Sequence, residues 1–226
     1  MTAIPPALLQ LADGRFPSGG HAHSFGVEAA AALLGVADAS SLESFVAGSL
    51  TTSGLVDASF AAAVAGGADP DAADAERDVR FVVAHVRNAS RALGRQLVRA
   101  AHGTWPDLAT GPVGAALAGP PEGGWHQSIA FGLVGRGLGV GAAPLAQVSL
   151  HQSAATMLGA YVRLRGLDPA AAQAVLARLG PLIESVSAEA ASAGEGPLAE
   201  LPVWSGPAAD IAAEDHSGWE VRLFGT

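Results

Sequence analysis

Proline, glycine and N-cap residues cut this chain into stretches of helical length, and in most of them apolar residues recur three and four positions apart. Strand-like alternation is scarce, so the rhythm predicts an all-α single-domain bundle of about seven to eight helices. The first is expected over Pro6 to Leu11, a second from near Ser24, and a third after Ser40-Ser41-Leu42-Glu43, with Ser40 as N-cap and Glu43 closing a capping box. Asp69-Pro70 opens a long segment that runs, with a break, to about His102. Further helices are expected from about His126 to Leu138, from Pro144 to Arg165, and again after Asp168-Pro169. Ala109 to Gly124, dominated by glycine and proline, reads as a loop, and so does the run after Ala193. Residues 1–23 are thus expected to form an N-terminal segment and loop, 24–193 the helical core, and 194–226 a loop and tail, both ends being mobile when alone.

Half of the 226 residues are hydrophobic and 15% are charged, which excludes general disorder and supplies one full core. No cysteine is present, so disulfides, thiolate metal sites and cysteine nucleophiles are excluded, as a reducing cytosol would favour. The opening MTAIPPALLQLADGR has no basic stretch before its apolar residues, and a cytoplasmic location is expected. The most apolar window, Ile129 to Leu150, contains Arg136, and a central arginine costs roughly 2.5–3.5 kcal/mol in a bilayer, so no membrane span is expected. A net charge of −9, with arginine supplying all twelve basic residues, argues against nucleic-acid binding.

Chemistry-bearing residues concentrate in DGRFPSGGHAHSFGVEAA, residues 13 to 30. His21 and His23 share a side if the loop is extended, but two ligands do not make a site, and neither a metal centre nor a cofactor is expected. Ser24 has His23 beside it and Asp13 upstream without the strand-to-helix elbow of a serine nucleophile, so no catalytic residue is assigned. Ser24 instead suits a helix cap, and Glu28 lies near the positive end of that helix. Gly137-x-Gly139-x-x-Ala142 matches a dinucleotide fingerprint formally, but a helix-like segment precedes it and the next acid is Asp168, so a helix end and tight turn is the better reading.

Arg87, Arg91, Arg95 and Arg99 make a ridge at steps of four, with Val86, Leu93 and Leu97 opposite. Such a ridge is either a solvated face or a docking surface for an acidic partner. Six arginines stand against one acid, Asp78, between Arg77 and Arg99, whereas Glu184 to Glu220 holds eight acids and no base. Opposite patches favour association, within one molecule or between molecules.

The pattern LLQLADGRFPSGGHAHSFGVE resembles the N-terminal signature of the UreF family of urease accessory proteins. SRALGRQLVRAA at 90 to 101, SIAFGLVGRGLGV at 128 to 140, YVRLRGLDP at 161 to 169 and the ending DIAAEDHSGWEVRLFGT are similar to that family in the same order, over nearly the whole length. His21 departs from a commonly aromatic position, and RGLDP from a commoner proline-leucine-glycine-glutamine pattern.

The resemblance implies an all-α protein with no catalysis of its own. It would join UreD (also called UreH) and the GTPase UreG on the urease apoprotein during nickel insertion, commonly as a homodimer. The loop residues Asp13, Pro17, Gly19, Gly20, His21, His23, Ser24, Phe25 and Glu28 would then form a recognition surface, any nickel contact being secondary. The tail, with His216, Arg222, Leu223 and Phe224, would order against UreD, and Arg163 would support either the core or the GTPase face. Arg87, Arg91 and Arg95 are further partner-contact candidates; the alternative is that they supply an arginine in trans as a regulator of UreG.

Overall fold

A computed structural model describes residues 4–226. Among them every regular element is helical: α1 (Pro6–Ala12), α2 (Val27–Leu33), α3 (Ala39–Ser49), α4 (Leu55–Gly66), α5 (Pro70–Asp78), α6 (Ala84–Thr104), α7 (Gly111–Ala118), α8 (Gln127–Gly137), α9 (Ala142–Arg165), α10 (Pro169–Arg178), α11 (Gly180–Ala193) and α12 (Pro207–Ser217). A π turn, Leu50–Gly54, runs α3 into α4 without a break, so the twelve segments make eleven rods, more than the seven to eight expected.

The extra rods have local causes. The long segment after Asp69-Pro70 breaks at Val79–Val83, and Leu179 separates α10 from α11. Helix α7 occupies the stretch read as a loop, because Pro112 falls in the first turn, where its missing N–H has no helical partner to lose. Helix α12 likewise starts at Pro207, and only Ala212 and His216 on it are buried, too thin a stripe to read as periodicity. The tail is packed against the body through Phe224, which is buried.

The caps follow residue chemistry. Asp69 and Asp168 accept hydrogen bonds from the backbone of Ala72 and Ala170, as the Asp-Pro pairs predict. At α3 the capping box is not Ser40–Glu43. Asp38 is the N-cap, accepting from Ser41 N at 2.8 Å while the Ser41 hydroxyl accepts from Asp38 N at 3.0 Å. Helix α3 therefore begins earlier, and Glu43 is directed to Arg178, 2.6 Å away.

Helix α4 is the axis of the fold, packed against α8, α9 and α11. Its Val56, Phe60 and Val64 face one hydrophobic cluster with Leu11, Leu97, Trp125, Ile129 and Leu133. Leu55, Ala58 and Ala62 face a second cluster with Leu42, Val46, Leu150, Tyr161 and Val175. Each fully buried large side chain contributes roughly 1.5–3 kcal/mol relative to exposure, so a helix buried on two sides holds both halves together. Gly132 permits the α4–α8 contact: a Cβ there would lie 2.7 Å from Val64 Cβ and 2.8 Å from Ala61 O. Gly139 turns the chain with φ 69°, the helix end and tight turn expected there.

Candidate functional site at the joined chain ends

The N-terminal loop is laid across α6 and α9 before α2 begins. Asp13 O accepts from Phe16 N, the Phe16 ring stacks on Trp105, and Pro17 O accepts from the Gln96 side chain of α6. Gly19 lies against Leu93 and Gln96, and Gly20 against Thr156 of α9. Phe25 holds a positive φ of 51°, uncommon for an aromatic residue, and Gly26 follows at φ 85° as N-cap of α2. This pair of left-handed residues turns the chain so that Ser24 and Glu28 face the same side.

The tail occupies that side. Glu28 Oε1 accepts from Leu223 N at 2.8 Å, and Oε2 from Phe224 N at 3.0 Å; His216 Nε2 is also 3.0 Å from Oε2. Ser24 Oγ donates to Thr226 O at 2.7 Å and accepts from Glu28 N, so the serine caps α2 from two residues outside it. His23 Nδ1 meets Thr226 Oγ1 at 2.8 Å. Arg163 of α9 ties both ends at once, donating from Nη1 to His21 O at 2.8 Å while its guanidinium lies over the Phe224 ring. Ser24, Glu28, His216 and Phe224 are buried; His21, Arg222 and Leu223 face outward.

Burial acts to raise the Glu28 carboxyl, but the Leu223 amide, the His216 imidazole and the Phe224 amide outweigh it and hold the group below the usual carboxylate range. Burial lowers the His23 imidazole. The joined ends border a cleft of about 750 Å3, on which Phe25, Phe81, Thr156 and His216 lie.

Eight residues singled out by sequence thus meet here: His21, His23, Ser24, Glu28, Arg163, His216, Leu223 and Phe224. Asp13 is not among them; it pairs with exposed Arg15 at 2.6 Å, which holds its carboxyl at about 2. The arginine ridge lies elsewhere and is largely engaged within the molecule. Arg91 binds Asp74, Asp78 and Gly124 O; Arg87 donates to Phe81 O; Arg95 donates to Gly123 O.

That engagement exposes a second polar site. His126, fully enclosed, has Nε2 3.0 Å from Asp78 Oδ1 and Nδ1 3.2 Å from Ser90 Oγ, and its backbone N donates to Asp74 Oδ1 at 2.9 Å. Burial lowers the His126 imidazole, with Asp74 and Asp78 opposing. The Asp78–His126–Ser90 order has the look of a hydrolase triad, yet the Ser90 hydroxyl accepts from Gln127 N and the imidazole, covered by the Phe81 ring, exposes no surface to a substrate. Sequence reading missed Asp74 and His126; the signal available was Asp78, the lone acid in an arginine-rich run. Among the described residues no group of three or more His, Asp or Glu side chains is placed to hold a metal ion, and no helix is long and apolar enough to cross a membrane.

The UreF family profile matches residues 36–180. A protein named urease accessory protein UreF from Mycolicibacterium vanbaalenii is 39% identical over 221 residues, 96% of this chain and 96% of its own length. One of the same name from Mycobacterium sp. (strain JLS) is 41% identical over 221 residues, again with 96% of each chain covered. That of Mycobacterium tuberculosis (strain H37Rv) is 39% identical over 228 residues, 99% of each. The alignments therefore extend beyond the profile into both joined ends.

Proposed function

The chain belongs to the UreF family of urease accessory proteins, which is not a family of enzymes, and from that membership we propose that it acts as a scaffold in urease maturation. In this reading it bridges UreD (UreH) and the GTPase UreG on the urease apoprotein while nickel is inserted, working in the cytoplasm as a homodimer. The observation that carries the reading is the joining of the chain ends. Glu28, Ser24 and Arg163 assemble a loop and a tail into one surface on which His21, Arg222 and Leu223 point outward. A surface built from two chain ends adapts to a partner at low cost, because its parts move without unfolding α4 and its neighbours.

The alternative, arginine donated in trans to UreG, fits less well, since Arg87 and Arg91 already bind internal acceptors. The decisive experiment deletes residues 210 to 226 and measures UreD binding by titration. The scaffold reading expects the dissociation constant to rise at least about tenfold, one buried anchor's worth. An unchanged constant would remove the tail from the interface.

A further inference from the structure

We propose that the exposed apolar edge formed by Val82, Val203 and Trp204 docks a positively charged protein face of a maturation partner, not a second copy of this chain. Val82 is 74% exposed, Val203 69% and Trp204 63%, large apolar side chains left in water. All three line the cleft, as do His85 and Asp210. Arg80 brings them together, because its guanidinium donates to Leu198 O, Ala199 O and Leu201 O and so fastens the α5–α6 connection, which holds Val82, to the segment leading into Val203. Exposed tryptophan beside aliphatic residues is the composition of an interface anchor.

Charge selects the occupant. Ten of the thirteen acids before Glu184 pair with a base or cap a helix. Among the described residues, none of the eight from Glu184 to Glu220 forms an ion pair with a base of this chain. Asp210, at the apolar edge, is partly buried without a basic neighbour, and that burial raises its carboxyl. Glu214 lies close enough to His85 to act on its charge. Arg222 also lies close enough to act on His85 but pairs with neither acid, so a cation from a partner would give Asp210 and Glu214 the ion pairs they do not make within this chain.

A second copy could not. Nine of the twelve arginines already donate to carboxylates or main-chain carbonyls of this chain, and each copy brings a net charge of −9. Like-charged rims brought together repel. Phosphate-bearing ligands are repelled for the same reason.

The inference rests on the scaffold reading, and the test separates the two. The full chain is titrated with purified UreD, UreG and apo-urease in turn, at about 0.05 M and about 0.3 M salt, a range over which surface charge is progressively screened. Two variants are compared: Val203→Ser with Trp204→Ser, and Asp210→Asn with Glu214→Gln. For one of the three proteins, the apolar pair should weaken binding about tenfold or more. The charge pair should weaken it several-fold at low salt and flatten the salt dependence. Unchanged thermal melting shows that the variants fold. If a partner binds wild type and both variants alike, the docking edge is wrong while the scaffold reading stands; if none of the three binds wild type, both fall. Loss of self-association in the apolar variant, with partner binding intact, would assign the edge to a second copy and overturn the proposal.

Discussion

Two histidine–carboxylate sites in this molecule use similar bonds for opposite ends. At His126 the carboxylates of Asp74 and Asp78 meet Arg91 and an enclosed imidazole, joining α5, α6 and the start of α8. At His216 a single carboxylate, Glu28, accepts from two tail amides and the imidazole, joining residues 188 and more positions apart in sequence. In the first, Asp74 and His126 are buried among packed helices and only Asp78 reaches the surface, with 32% of its side chain exposed. The second lies where a loop and a tail can separate and be rehydrated. Location in the topology decides whether such a network holds the fold or holds a movable part.

The comparison breaks most readily at Asp74. Asp74→Ala removes the acceptor of His126 N and of Arg91 Nη1. Breaking a buried ionic network in this way costs about 3–5 kcal/mol, visible as a lower urea midpoint and melting temperature. Hydrogen exchange of the Leu223 and Phe224 amides, measured well below the shifted midpoint, should stay within the range of the parent protein. A loss under about 1 kcal/mol would put the network in the class of surface pairs and erase the contrast.

Glu28→Gln is the matching cut at the joined ends and should act locally. It removes the charge and, because an amide nitrogen cannot accept, at least one of the three hydrogen bonds, while keeping the overall shape, for a loss of about 1–2 kcal/mol in tail docking. Exchange at Leu223 and Phe224 should quicken by tenfold or so, with little movement of the global melt. The pH dependence sharpens the distinction. The Glu28 carboxyl is depressed in the folded state, so its contribution is full above the unfolded value of 4.5 and is lost as pH falls through the lower folded value. His126 and His23 are depressed by burial, so the unfolded or released forms bind the extra proton, and stability falls as pH drops below 6.5 toward the folded values. His126 should appear in the global melt and His23 in tail exchange. His23→Gln should therefore flatten the pH dependence of tail exchange between those values and leave that of the global melt unaltered.

What could be read from sequence divides along the same line. Asp69 and Asp168 were legible as caps because cap and recipient lie within three residues of each other. Asp38 was overlooked because Ser40, two residues on, offers the same chemistry, and only the backbone decides between them. The network around His126 depends on α5, α6 and α8 meeting in space; sequence revealed only that Asp78 stood alone among arginines. Glu28 and His216 were each visible as candidates through local composition and family resemblance, yet their contact, across 188 residues, has no local signature. Helices α7 and α12 were hidden by glycine, proline and a thin buried stripe.

The smallest effect belongs to Asp13, and it tests whether the N-terminal loop contributes by holding the tail or by touching a partner. Its carboxylate is held at about 2 by an adjacent, exposed Arg15, and it makes no contact with Glu28 or the tail. A solvated pair of this kind adds little to stability, because both groups are well hydrated when separate. Asp13→Ala should therefore leave the melting temperature and the Leu223 and Phe224 exchange rates unchanged. If UreD binding nevertheless weakens, Asp13 acts by direct contact, whereas His23→Gln acts through the tail, and the two substitutions combined should lower affinity by the product of their separate effects. A faster tail exchange in Asp13→Ala would instead show that the turn at Asp13–Gly20 positions Ser24 and Glu28 from a distance.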